Sequence, residues 1–157
     1  MIKKKIVAAS IGNCVHVAGI MNFLSLAERE GYDAKFLGAA ITVDELVSGV
    51  KAESPDFAGV SFRLTAKPLE ELLRELKEKI SKEGLWNIKW LFGGTELTAE
   101  AAEGSGIFQR TFNGTEDVDD VLGFLKGRKL TKAENYPRDL IDRIKSKYPY
   151  PVLRHHI

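Results

Sequence analysis

The chain has 157 residues, 44% of them apolar and 29% charged, with a net charge of +1 at neutral pH. That is the profile of an ordinary globular domain with a core of its own, and the near-even charge balance argues against a nucleic-acid partner. A single cysteine excludes an internal disulfide framework and a cysteine-cluster metal site, and no apolar run nears the roughly 20 residues of a membrane span, so a cytoplasmic protein is expected.

Apolar runs alternate with helical patterns along the chain, which predicts a parallel sheet with crossover helices. Residues 5–10 read as the first strand. Ile20, Phe23, Leu24, Leu26 and Ala27 then give one helical face, closed by Gly31. Residues 33–37 read as a short second strand, with Gly38-Ala39-Ala40 as a small-residue loop at its end. Thr42 followed three residues later by Glu45 is a capping box for a helix reaching about Glu53, and Ser54-Pro55-Asp56 breaks it. Residues 57–61 are nearly all apolar, as a central strand covered on both faces should be.

A loop over residues 62–67 follows, and Pro68 falls in the first turn of the next helix, where proline is tolerated. Leu69, Leu72, Leu73, Leu76 and Ile80 run at helical spacing to Gly84. Residues 87–92 form a fourth strand ending in Gly93-Gly94, residues 98–102 a short helix or turn, and residues 107–112 a fifth strand. Asn113-Gly114-Thr115 leads into a last helix over 116–126, with Val118, Val121, Leu122 and Leu125 expected inward. Five such units predict an α/β fold of the flavodoxin-like (Rossmann-like) kind: a five-stranded parallel sheet with helices on both faces. This domain is expected to span residues 1–126.

Residues 127–157 differ. They carry eight Lys/Arg and three Asp/Glu, a net of +5, so the first 126 residues carry −4. One more helix is expected over 137–147, followed by a stiff, extended stretch, Tyr148-Pro149-Tyr150-Pro151. The extension reads either as a linker to a further domain or as a tail.

In a parallel sheet all strand carboxyl ends lie along one edge, and ligands bind there. Four features are expected to meet at that edge. The loop Asn13-Cys14-Val15-His16-Val17-Ala18-Gly19 brings an imidazole, which can ligate a metal through one ring nitrogen. Ser61 brings a hydroxyl at the mouth of the third strand. Gly93-Gly94 removes side chains, so that a planar group can lie against backbone. Asn113-Gly114-Thr115 is expected to set the N–H groups of Gly114-Thr115 at a helix start, where they would favour a phosphate or polar ligand edge. Together these suit one large, flat, partly polar ligand. Cys14 has no basic neighbour in sequence and reads as a small buried residue rather than a nucleophile.

These motifs resemble the cobalamin (B12)-binding domain family. That family carries Asp-x-His-x-x-Gly, then Ser-x-Leu, then Gly-Gly. Here the first is Cys14-Val15-His16-Val17-Ala18-Gly19, the second Ser61-Phe62-Arg63-Leu64 and the third Gly93-Gly94. The resemblance covers about residues 3–126 and is nearest to the small subunit of glutamate (methylaspartate) mutase, in the Lys-rich start, Ile11-Gly12, His16 and Gly19. It implies that His16 is the lower ligand of cobalt, replacing the cofactor's own dimethylbenzimidazole. Ser61 and Gly93-Gly94 would line a slot for the displaced nucleotide arm, Gly114-Thr115 would close its far end, and Gly19 would let the cofactor pass the first helix. Two departures stand out. Cys14 occupies the place of the Asp that orients the histidine, and an extra residue before Leu64 brings Phe62 and Arg63 toward the slot.

The resemblance further implies adenosylcobalamin, ahead of methylcobalamin, as the cofactor of a carbon-skeleton isomerase. The chain would supply binding and orientation, and a barrel-type subunit or a C-terminal domain would hold the substrate; the activity would belong to the assembly. Two other readings compete. One is a corrinoid methyl carrier, against which stands the first strand's position within a few residues of Met1. The other is an interaction module of the same fold that binds no cofactor.

Overall fold

The computed structural model describes residues 3–127. The chain forms two compact units, Met1–Gly114 and Thr115–Ile157. The first contains β1 (Lys5–Ile11), α1 (Ala18–Arg29), β2 (Asp33–Ile41), α2 (Val43–Glu53), β3 (Phe57–Phe62), α3 (Ala66–Glu83), β4 (Lys89–Gly94), α4 (Glu96–Ser105) and β5 (Arg110–Phe112). The second contains α5 (Val118–Leu125). The helix and stiff segment expected within 128–157 lie outside the described residues.

The sheet is wholly parallel in the order β2-β1-β3-β4-β5. This is the flavodoxin-like order, and it places the topological switch between β1 and β3. One face buries Val7, Ala9, Ile11, Ala58, Val60, Phe62, Trp90 and Phe92 against α2, α3 and α4. The opposite face carries α1, which turns Ile20, Leu24 and Ala27 inward over β1 and β2. Two-residue alternation along each strand divides the side chains between these faces.

Local chemistry sets the element ends. Thr42 Oγ1 accepts from the Glu45 N–H at 3.0 Å, and Glu45 Oε1 accepts from the Thr42 N–H at 3.1 Å, so the expected capping box forms. α3 buries Leu69, Leu73, Leu76 and Ile80 and stops at Gly84, whose φ of 67° suits glycine. α4 is longer than expected because Thr95 caps it, three residues ahead of the expected start; the Thr98 hydroxyl and N–H close a second capping box on Thr95.

Three further elements differ from expectation. β2 runs on through Gly38-Ala39-Ala40 to Ile41 instead of ending at Leu37. The Ile41 carbonyl accepts from the Gly12 N–H at 3.0 Å, and the Ala40 N–H donates to Ser10 Oγ at 2.9 Å. These bonds to β1 and its loop hold the irregular strand in place across the register shifts beyond Ala8. β5 is shortened to three residues, because Ile107 and Phe108 turn into the core before the chain reaches the sheet edge, the Phe108 ring centroid lying 5.3 Å from that of Phe92. In the second unit, Asp117 caps α5 through the Asp120 N–H at 2.8 Å, and Val118 is 42% exposed rather than inward.

Candidate functional site

The loop after β1 is built around Cys14. Gly12 turns the chain at a φ of 64°, where a β-carbon would also stand 2.8 Å from Leu72 Cδ1. The Cys14 N–H then donates to the Ile11 carbonyl at 3.2 Å, and the Cys14 carbonyl accepts from Ser10 Oγ at 2.6 Å. The thiol is fully buried and accepts from the Arg63 N–H at 3.4 Å, tying this loop to the one after β3 across the switch point. With Cys14 held inward, Asn13, Val15, His16 and Ala18 are exposed, and Val17 and Gly19 are half-buried.

His16 Nδ1 lies 3.7 Å from Cys14 Sγ. A thiol is a weak hydrogen-bond partner in either direction, so it orients the ring without the pull of a carboxylate. Nδ1 is turned to the protein, and Nε2 is left for an outside ligand. Among the described residues no group of three or more His, Cys, Asp or Glu side chains converges on a common point. A lone imidazole suits a metal whose other positions are already filled, as those of a macrocycle-bound ion are.

Ser10, Ser61, Gly93 and Phe112 sit side by side across β1, β3, β4 and β5, on the face that carries α1. One row nearer the amino ends come Ala8, Gly59, Leu91 and Arg110. Ser61, Gly59 and Gly93 are half-buried even though their strands are central, and a β-carbon on Gly93 would meet nothing within 4 Å. Gly59, Ser61 and Gly93 therefore make a trough of small residues on β3 and β4, open above Gly93, whereas a β-carbon on Gly59 would already stand 3.2 Å from Ala8 Cβ. At its mouth the Phe23 ring of α1 meets the Phe112 ring of β5 edge-on, with centroids 6.1 Å apart. Among the described residues Ser61 Oγ, the Asn13 amide and the Arg63 guanidinium have no side-chain hydrogen-bond partner, so their polar groups are available at the same edge.

Gly93 and Gly94, a pair in sequence, differ in place. Gly94 faces the α4 side, where a β-carbon would overlap Thr98 Oγ1 and stand 2.5 Å from the Phe62 carbonyl oxygen. Gly94 is glycine because the protein fills its space; Gly93 borders space that nothing fills. Phe62, expected near the slot, is 2% exposed and belongs to the core under α3, since strand alternation turns it away from Ser61. Arg63 does reach the site. Its Nη1 stands 3.9 Å from a β-carbon built on Gly19, beside the start of α1. That helix has no side-chain cap and no acidic residue in its first turn. A cation beside uncapped N–H groups favours an anionic or carbonyl-bearing ligand.

Leu64 is 43% exposed on the rim. Asn113 and Gly114 are half-buried at the end of β5; a β-carbon on Gly114 would lie 3.4 Å from the Gly94 carbonyl. Thr115 is exposed and falls in the second unit. Sequence reading passed over Ser10 and Arg110. The signal for Ser10 was a lone hydroxyl at the end of an apolar strand, and for Arg110 a charge opening a strand otherwise bound for the interior.

The model of a family described as B12 binding domain matches residues 4–121. No curated protein matches the sequence. Among solved structures, the chain is similar to a novel cobalamin-binding protein from Desulfitobacterium hafniense DCB-2, at 25% identity and a TM-score of 0.64, over 78% of this chain and 56% of that one. It shares its fold with the methanol:cobalamin methyltransferase complex MtaBC of Methanosarcina barkeri, at 16% identity and a TM-score of 0.63, over 78% and 43% of the two chains. The same holds for the monomethylamine corrinoid protein of Methanosarcina barkeri, at 16% identity and a TM-score of 0.59, over 78% and 57%. The chain thus spans about half the length of these three structures.

Proposed function

This chain belongs to the B12-binding domain family, and we propose that it holds cobalamin with His16 on cobalt and presents the corrin to a separate substrate-binding partner. One observation carries the reading. An exposed imidazole, its Nδ1 turned to a buried thiol, stands on the rim of a trough whose floor, Gly59, Ser61 and Gly93, has almost no side chains. The residues present fit the cofactor: a single nitrogen for the metal, unpartnered polar groups at the rim, and open space at Gly93 for the nucleotide arm.

In this reading His16 Nε2 would ligate the cobalt. Cys14 fixes the ring's orientation and links it to the β3 loop through the Arg63 N–H. Ser61 and Gly93 form the floor under the arm, Arg63 and the first N–H groups of α1 face polar groups of the cofactor, and Asn113 and Gly114 flank the far end. When bound, adenosylcobalamin would supply a Co–C bond able to break homolytically for radical chemistry. Adenosylcobalamin is the form proposed, and a carbon-skeleton isomerase the assembly, on the resemblance of the first loop to the small subunit of glutamate (methylaspartate) mutase. A barrel-type subunit or domain is the proposed partner. The lone cysteine suits a reducing compartment, and the cytoplasm is the proposed location.

The test is a titration of the purified chain with hydroxocobalamin, followed by visible spectroscopy. The chain is expected to retain the corrinoid with a spectrum that changes in the His16→Ala variant, whose affinity falls at least about 10-fold, as lost metal ligation requires. A His16→Ala variant with unchanged spectrum and affinity removes the imidazole from cobalt. A wild-type chain that retains no corrinoid removes the function.

A further inference from the structure

Arg110 opens β5 on the face that carries the trough, one row below Phe112 and in register with Leu91. Its Nε is buried and, among the described residues, is the side-chain nitrogen or oxygen that is buried with no hydrogen-bond partner. No carboxylate among the described residues lies within ion-pair distance of its guanidinium. The guanidinium carbon sits 5.1 Å from the Phe112 ring centroid. That cation–π contact supplies no hydrogen-bond acceptor, and Nε stays without one. A buried donor without an acceptor is costly, and natural proteins keep few of them. The row of Arg110 runs Gly59, Leu91, Arg110 and the next runs Ser61, Gly93, Phe112, so the unsatisfied cation lies diagonal to Gly93, where a β-carbon would meet nothing within 4 Å.

We propose that Arg110 is the anion anchor of this trough, donating to the phosphodiester of the nucleotide arm when cobalamin is bound. The phosphodiester is the arm's one anionic group, and a guanidinium is the side chain best matched to it. The inference rests on the proposed function, and it adds a second anchor distant in sequence from the His16 loop. It also separates the roles of two parts of the ligand: His16 addresses the metal, and Arg110 addresses the arm.

The two are separable with cobinamide, a corrinoid that keeps the ring and cobalt and lacks the nucleotide arm. Binding of hydroxocobalamin and of cobinamide is measured by calorimetry and visible titration for the full chain, Arg110→Met and Arg110→Lys. The expected result is that Arg110→Met weakens cobalamin by about 10–100-fold, the range of a hydrogen bond to a charged group. Cobinamide binding is expected to stay unchanged, which also shows that the variant is folded, and Arg110→Lys is expected to recover part of the loss. Equal losses for both corrinoids, or no loss for either, overturn the anchor while leaving cobalamin binding intact. Failure of the wild-type chain to bind either corrinoid overturns the underlying function instead, and the anchor with it.

Discussion

At the scale of single residues, the two adjacent glycines after β4 make opposite demands. Gly94→Ala places a methyl group against the Phe62 carbonyl and Thr98 Oγ1, and backbone cannot yield there without loosening the end of β4. We expect it to cost about 1–3 kcal/mol, the usual range for overpacking, read as a lowered midpoint of denaturant unfolding. Gly93→Ala meets nothing, so its stability should stay within about 0.5 kcal/mol of wild type. Its effect should appear in cobalamin affinity, where a methyl group on the trough floor competes with the ligand. If Gly93→Ala binds cobalamin as tightly as wild type, the trough is not the ligand's path. Cys14 belongs to the same scale. It is buried by Ser10, Ile11 and Arg63 contacts that any small side chain could partly preserve, but its thiol alone reaches His16 Nδ1.

At the scale of elements, the fold is specified by local signals that agree with one another. α2 shows this at its start, where Thr42 and Glu45 satisfy each other's backbone N–H groups. Thr42→Ala should lower unfolding free energy by about 1 kcal/mol, and Thr42→Ser should restore most of it, as a lost and regained N-cap would. An unchanged midpoint in the alanine variant would mean that packing of Val43, Leu46, Val47 and Val50 holds the helix start without its cap. α1 and α3 begin without a side-chain cap, and of the two it is α1 that starts directly after the His16 loop. The spacing of Ile20, Leu24 and Ala27 made α1 legible in sequence. That its Phe23 reaches the ring of Phe112 was not legible, because the contact depends on how far α1 leans across the sheet.

At the scale of the whole molecule, charge links the ends of separate elements. Glu53 at the close of α2 accepts from Lys5 of β1 at 3.0 Å and from Lys35 of β2 at 3.1 Å. Those hydrogen bonds, Lys5 first and Lys35 second, hold its carboxyl below the ordinary value of 4.5. Lys51 does the same for Glu83, linking α2 to the end of α3. A carboxyl depressed in the folded state stabilises above its unfolded value and loses that contribution as pH falls through its folded value. The protein is therefore expected to hold full ion-pair stability at neutral pH and to lose it on acidification below about pH 4.5. Glu53→Gln should flatten that part of the melting-temperature profile, and an identical acid slope in the variant would show that the Lys5–Glu53–Lys35 link adds nothing to folding. No helix among the described residues is long and apolar enough to cross a membrane.

The sequence by itself determined the succession of strands and helices, the parallel sheet and the edge at which the His16, Ser61, Gly93 and Asn113 regions meet. Each of these follows from periodicity, caps and short motifs, which act over a few residues and need no partner from elsewhere in the chain. Only the tertiary structure decided which of two neighbouring glycines faces open space, why Phe62 packs in the core while Arg63 stands beside Gly19, and that Arg110 lies in register with Leu91 of β4. Those outcomes are set by strand register and by which helix covers each face, and both arise from contacts between residues many positions apart.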